Sequence, residues 1–424
     1  MNGRESSLKP GLSSIYWIVA GVTFFTLLVS AGVRSTPGVL IIPLEQAFGW
    51  DRTAVTFPLA INLALYGLCG PFAAAFMERY GVKRVMIFAL SMLAIGTGLS
   101  SFMSAEWQMA VLWGLVIGLG TGLTSSVLGA IIANRWFRQR RGLIVGMFTA
   151  SGATGQLIFL PLFAKLATSY SWQAVVWVTS IASFIILLLV IWLMREKPSD
   201  LGIPPYGAAE LQPAEEQPNT NVFASAINGL KLGARSKDFW LLSASFFICG
   251  LSTNGLIGTH FIPASVEYGI PEVRAASMLA LIGIFDIMGT LASGWLTDRY
   301  DSRILLSWYY GLRGLSLLLF PFALGGSSFS LILFIVFYGL DWVATVPPTV
   351  RLTSDTFGKQ GGIVYGWIFA SHQIGAATAA FGGGVLHSIF GDYVLTFLLA
   401  GLFCIAASGL VMKIRKAVPV TQQA

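Results

Sequence analysis

"GPFAAAFMERYGVKR" occupies residues 70–84 and "GTLASGWLTDRYDSR" residues 289–303. Superposing Glu78 on Asp298, an offset of 220 residues, also brings Arg79 onto Arg299 and Tyr80 onto Tyr300. Each stretch ends an apolar run in an acidic–Arg–aromatic turn, and a further apolar run follows. Self-similarity of this kind marks a chain built from two copies of one unit. The longest break in the apolar pattern, "REKPSDLGIPPYGAAELQPAEEQPNTN" at 195–221, is polar and Pro-rich and falls between the copies. Its composition is that of a linker. The expected division is therefore a first unit over 1–194, a linker over 195–238 and a second unit over 239–424.

Composition sets the medium. Of the 424 residues 55% are hydrophobic and 11% charged, and the mean hydropathy is +0.74. A soluble chain carries about 25% charged residues, so this is a polytopic, all-α membrane protein. About 20 apolar residues cross a hydrocarbon core as helix, and twelve such segments are expected. They run over 15–43, 53–77, 84–103, 107–134, 142–167, 173–194, 239–264, 275–297, 303–324, 329–350, 361–388 and 393–413. The first is too long for a signal-peptide core and has no suitably placed small-residue cleavage site, so it is expected to stay. The cysteines, Cys69, Cys249 and Cys404, fall one each in separate segments, which gives no support to a disulfide framework or a thiolate metal site.

Basic residues orient the chain. One set of loops carries Arg79, Lys83, Arg84, Arg135, Arg138, Arg140, Arg141 and most of the remaining Lys and Arg, while the other side has only Arg52, Lys165 and Arg274. Short Lys/Arg-rich loops stay cytoplasmic, which places both termini inside. The pI of about 9.4 is thereby a topology signal and does not call for a nucleic-acid partner.

Residues 70–84 resemble the signature loop of the major facilitator superfamily, and 289–303 resemble its weaker second copy. Twelve spans, a 6+6 division and inside termini extend the likeness over nearly the whole chain. It implies two pseudo-symmetric six-helix bundles, and a role for Glu78, Arg79, Asp298 and Arg299 in locking helices in one conformation and releasing them in another. Glu78 replaces the usual Asp, Val82 a usual basic residue, and Asp301 stands where Gly is frequent. The fourth segment has Gly114 near the place of an arginine found in many proton-coupled members.

Within the superfamily the stretches "GVRSTPGVLIIPLEQAFGWDR", "NRWFRQRRGLIVGMFTASGATG", "THFIPASVEYGI" and "GLDWVATVPPTVRLTSDTFG" are similar to the bacterial monocarboxylate-porter and oxalate:formate-antiporter group. That likeness implies transport of a small organic anion. In the monocarboxylate branch, an acidic or amide residue of the eighth span is followed four residues later by a carboxylate-binding arginine. Here those places hold Asp286 and Thr290, so the arginine is missing.

Arg34 is a replacement. It lies in the first span just before Pro37 and Gly38. An intramembrane arginine costs at least about 2.5 kcal/mol on insertion scales, and a guanidinium suits a carboxylate. Structural pairing and snorkelling to the headgroups are the other readings. In the resembling fold spans 1, 2, 4, 5, 7, 8, 10 and 11 line the central cavity, and here they supply Arg34, Asn62, Tyr66, Gln156, Asn254, Asp286, Asp341 and His372. The 220-residue offset sets Asn254 opposite Arg34 and Asp286 opposite Tyr66. Asn62 and Tyr66 share a helix face and either bind a substrate oxygen or pack between helices. Asp286 either pairs with Arg313 or takes up a proton, and Asp341 has the same choice with His372 as partner. His260 is expected at the outer interface or in a gate.

No His-Glu-x-x-His run, Gly-x-Ser-x-Gly elbow or nucleotide-binding loop is present, so neither an enzyme nor a self-contained ATP pump is expected; no cofactor or metal is implied, and no filter-like segment suggests a channel. The reading is a monomeric secondary transporter of the bacterial inner membrane, moving a small organic anion, with proton coupling an open option. Transport of a larger amphipathic compound is the alternative.

Overall fold

Lipid offers a backbone no hydrogen-bonding partner, so each spanning segment must satisfy its own amides as helix. The computed structural model, which describes residues 10–208 and 222–416, has this character throughout. All twelve expected spans are helical. In chain order they are α1 (Pro10–Phe48), α2 (Arg52–Tyr80), α3 (Val82–Ser100), α4 (Glu106–Trp136), α5 (Arg141–Ser169) and α6 (Trp172–Leu193). After a linker helix α7 (Val222–Ala234) come α8 (Lys237–Glu267), α9 (Glu272–Thr297) and α10 (Ser302–Gly325). The tenth span is split into α11 (Ser328–Asp341) and α12 (Val346–Phe357), followed by α13 (Gly361–Phe390) and α14 (Val394–Val411). Among the described residues eleven spans are long and apolar enough to cross a membrane by length and composition. The twelfth, α13, has the length with 30 residues, but is rich in Gly and Ala.

Helix starts follow from capping chemistry. The Asp51 side chain accepts from Ala54 N at 2.6 Å to cap α2, and Asp301 accepts from Arg303 N at 3.0 Å to cap α10. The turn of the first signature loop is made by Gly81, with φ of +89°, a backbone region that glycine enters freely. Glu196, the second residue after the expected sixth span, accepts from Val82 N (2.6 Å), Lys83 N (3.0 Å) and Arg135 Nη1 (2.8 Å). One carboxylate thus caps α3 and ties it to the end of α4.

The two bundles meet where α2 runs against α13, α5 against α9 and α1 against the end of α8. Small residues permit this: a Cβ on Gly384 would collide with Thr56 Oγ1, and one on Gly67 with the Gln373 side chain. Two spans contain π-helical turns, Ala110–Ile117 in α4 and Leu251–Ile257 in α8. Helix α1 continues through Pro37, Gly38 and Pro43 to Phe48.

The linker is held at both ends. Tyr206 donates its N–H to Trp136 O at 2.8 Å, and its carbonyl accepts from Arg138 N at 2.9 Å. Its ring packs against Tyr16, Trp17 and Phe137, while the Tyr16 hydroxyl donates to Pro204 O at 2.6 Å. Helix α7 lies against α13, with Trp367 Nε1 donating to Ala226 O at 2.8 Å. Phe223 of α7 also stacks on Phe72 of α2, centroids 5.5 Å apart. The rest of the expected linker, 209–221, lies outside the described residues, as do the termini at 1–9 and 417–424.

Candidate functional site

A cavity of about 50 Å³, measured for water-sized spheres, lies between the bundles and is lined by Arg34, Asn62, Gln156, Asn254, Thr259 and Trp342 among others. One water needs about 10–15 Å³ on that measure, so the space holds a few waters or a solute of a few heavy atoms. Six spans contribute: α1, α2, α5, α8, α9 through Leu279, and the tenth at the break between α11 and α12.

Arg34 is half-buried. Its guanidinium carbon sits 4.9 Å from the centroid of the buried Tyr66 ring, and it makes no hydrogen bond or ion pair with another described residue. Asn62 donates Nδ2 to Trp113 O at 2.7 Å, so part of its amide ties α2 to α4. Gln156 and Asn254 face the cavity from opposite bundles. Just beyond the π turn of α8, Thr259 Oγ1 donates to Asn254 O at 3.2 Å. Backbones close in beside it: a Cβ on Gly38 would lie 3.0 Å from Gly258 O.

The buried charges pair differently from the sequence expectation. Arg313 bonds to Asp341, with Nε to Oδ2 at 2.6 Å, and not to Asp286. It also donates Nη1 to Cys249 Sγ at 2.9 Å and Nη2 to the carbonyls of Asp341 and Trp342. Asp286 instead accepts from Thr290 Oγ1 at 3.0 Å and Val343 N at 2.9 Å. His372 makes no bond to Asp341. It packs against Phe246 and Phe369, and its Nδ1, like Asp341 Oδ1, is buried without a hydrogen-bond partner. Depth along a span is readable from sequence, whereas rotation about the helix axis, which decides the partner, is not.

A second polar cluster joins the bundles at one end. Arg52 of α2 donates to both oxygens of Glu45, one at 2.8 Å, and to the Tyr393 hydroxyl, with Glu267 Oε1 at 3.7 Å. His387 Nε2 lies 2.7 Å from the same Glu267 oxygen. His260, expected at the outer interface or in a gate, is fully buried, with Nε2 2.8 Å from Ala380 O and Nδ1 3.1 Å from Tyr393 Oη. If Nε2–H donates to that carbonyl, Nδ1 accepts from Tyr393, whose oxygen accepts from Arg52. At the opposite end Arg79 stacks on Tyr80 (5.4 Å) and Arg299 on Trp295 (4.0 Å). Among the described residues neither of these arginines, nor Asp298, makes an ion pair. Glu78 lies in the last turn of α2; its side chain is outside those described.

Sequence reasoning missed Thr259, Trp342 and Tyr393. The signal for Trp342 was present in "DWVATVPP", where two prolines interrupt a span directly after a charged residue.

Two pseudo-symmetric helical bundles around a small polar cavity define a membrane transporter. The chain belongs to the Major Facilitator Superfamily, whose profile matches residues 23–361 and again 268–423. It is similar to the MFS-type transporter YcxA of Bacillus subtilis (strain 168), 25% identical over 401 residues, covering 93% of each chain. Monocarboxylate transporter 13 of Rattus norvegicus is 26% identical over 402 residues, covering 93% of this chain and 88% of that one. The oxalate:formate antiporter of Oxalobacter formigenes is 24% identical over 395 residues, covering 91% and 87%. A crystal structure of a D-xylose-proton symporter superposes with a TM-score of 0.74 at 14% identity, covering 95% and 98%, a likeness of fold.

Proposed function

We propose that this transporter carries a small mono- or dicarboxylate across the bacterial cytoplasmic membrane by alternating access, with Arg34 as the anion-binding group. The observation that carries the reading is the state of Arg34. Among the described residues, the two buried arginines of the spans have carboxylate partners, Glu45 for Arg52 and Asp341 for Arg313. Arg34 has only the face of Tyr66, and a guanidinium at that depth needs a counter-charge. A substrate carboxylate supplies it, with Gln156 and Asn254 placed to orient the remainder. Relatives named for monocarboxylates and for oxalate and formate support the class, and a cavity of about 50 Å³ favours it over a larger amphipathic compound.

The protons, where transport is coupled, enter at Asp341 Oδ1 and His372 Nδ1, two titratable atoms that are buried without a hydrogen-bond partner among the described residues. The protein works as a monomer with both termini inside. The Arg52 cluster then closes the outer end, and the turns bearing Glu78, Arg79, Asp298 and Arg299 close the inner one.

The test is uptake of labelled mono- and dicarboxylates by purified protein in liposomes, with and without an inward proton gradient. Arg34→Ala is expected to lower uptake at least 30-fold, from the roughly 2–5 kcal/mol lost when one partner of a buried charge pair is truncated. Uptake indifferent to the substitution would overturn the reading.

A further inference from the structure

We propose that Trp342 sets the size of substrate the cavity accepts, and that Asp286, Ser293 and Arg313 are positioning residues which hold it by binding the backbone freed where the tenth span breaks. The substrate class rests on the carboxylate reading; the brace itself does not.

Pro347 and Pro348 stand in the first turn of α12. Lacking N–H groups, they deprive Val343 O and Ala344 O, four residues earlier, of their helical donors. The helix stops at Asp341 and resumes at Val346, leaving backbone groups that lipid cannot satisfy. Four of these groups find partners on neighbouring spans. Ser293 Oγ donates to Ala344 O at 2.5 Å, Val343 N donates to Asp286 Oδ1 at 2.9 Å, and Arg313 Nη2 donates to Asp341 O and, at 3.1 Å, to Trp342 O. Val343 O accepts from Val346 N at 2.9 Å.

The partners on α9 are a single face. Asp286, Gly289 and Ser293 are spaced three and four apart, so they align along the helix. Gly289 between them is where the broken strand of backbone comes closest: a Cβ there would collide with Leu340 O. Asp286 is thus read as a backbone acceptor built into a helix–helix contact.

What this brace presents to the cavity is Trp342. Trp342 lines the same space as Arg34, and its ring is backed edge-on by Tyr338, centroids 5.8 Å apart at 90°. The Tyr338 hydroxyl is itself fixed, donating to Ser252 O at 2.6 Å. The indole is the largest apolar side chain on the wall, so its position fixes how long a carboxylate fits in front of Arg34.

Two measurements on the reconstituted full-length protein test this. The first is the ratio of kcat/KM for hexanoate to that for acetate. Trp342→Ala is expected to raise it at least tenfold and Asp286→Ala or Ser293→Ala at least threefold, while Asp286→Asn, which keeps the acceptor oxygen, stays within twofold of wild type. The second is amide hydrogen exchange over residues 341–346, which is independent of what is transported. It should quicken in Asp286→Ala and remain slow in Asp286→Asn. Equal exchange in all three proteins overturns the brace, and an unchanged ratio in Trp342→Ala overturns the size assignment. Absence of carboxylate uptake by wild-type protein, with the exchange pattern as expected, overturns the carboxylate reading and with it the size assignment, and supports the brace.

Discussion

A guanidinium among apolar helices needs compensation, and three arginines obtain it in two ways: Arg52 and Arg313 from the carboxylates of Glu45 and Asp341, and Arg34, among the described residues, from the face of Tyr66. A ring face contributes about 0.5–2 kcal/mol, less than a desolvated carboxylate. Tyr66→Leu should therefore raise the KM for a carboxylate by about 2- to 30-fold and leave Arg34 competent, which concentration-dependent uptake measures. Arg34→Lys keeps the charge but loses the planar fork; its expected result is a KM raised more than tenfold with transport still detectable. Outside the spans, Asp301 illustrates a different economy. Its carboxylate accepts from Arg303 N, Nε and Nη2, and the hydrogen bond from the Arg303 side chain holds its pKa below the ordinary carboxylate value. The folded value being depressed, the contribution is present above the unfolded pKa of about 3.9 and lost as pH falls through the folded value. Thermal melting in detergent should show Asp301→Ala less stable than wild type at neutral pH, by about 1 kcal/mol for a lost N-cap, with the difference shrinking in acid.

At the scale of elements, the spans were legible because hydrocarbon thickness imposes a length that composition alone reveals. The twelve expected segments are all helical, the tenth as two helices, and most run a few residues further at one or both ends. The interior of a span is another matter. Nothing in "AVLWGLVI" or "LSTNGLI" distinguishes a π turn from an α turn, since the signal lies in packing against other helices. The glycines separate in the same way. Gly118, Gly120, Gly122 and Gly155 meet neighbours closely, whereas Gly146 and Gly152 face open space within 4 Å, though all six look alike in sequence. Charge pairing was the least legible: Asp286 and Arg313 were matched by depth, yet the backbone of the tenth span lies between their roles. Close approach predicts a large local cost. Gly289→Ala forces Leu340 away, and overpacking of this kind costs about 1–3 kcal/mol, so a lowered Tm is expected. The same substitution at Gly146 should leave it unchanged or slightly raised.

For the whole molecule, the repeat at an offset of 220 residues was enough to indicate two bundles and to set Arg34 and Asn254 across one cavity. The cluster at Arg52 was not foreseen, because its members come from five separate places in the chain and only Arg52 and His260 had drawn notice. Under the alternating-access proposal, Arg52→Ala removes the tie from α2 to Tyr393 and Glu267. Cysteines substituted for Thr53 and Ser388, whose hydroxyls lie 3.0 Å apart, should then crosslink less readily in the Arg52→Ala background than in wild type.

The anchoring of the linker bears on how far the halves can part. Tyr206 is fastened to the first bundle, while α7 touches both, Trp367 of α13 through Ala226 and Phe72 of α2 through Phe223; between these moorings the chain has a stretch of thirteen residues, 209–221. At about 3.3–3.6 Å per residue it reaches some 45 Å at most. The described ends of the linker are thus held by aromatic clasps, around Tyr206 on one side and around Trp367 and Phe223 on the other, and any parting of the bundles must carry these clasps along or undo them.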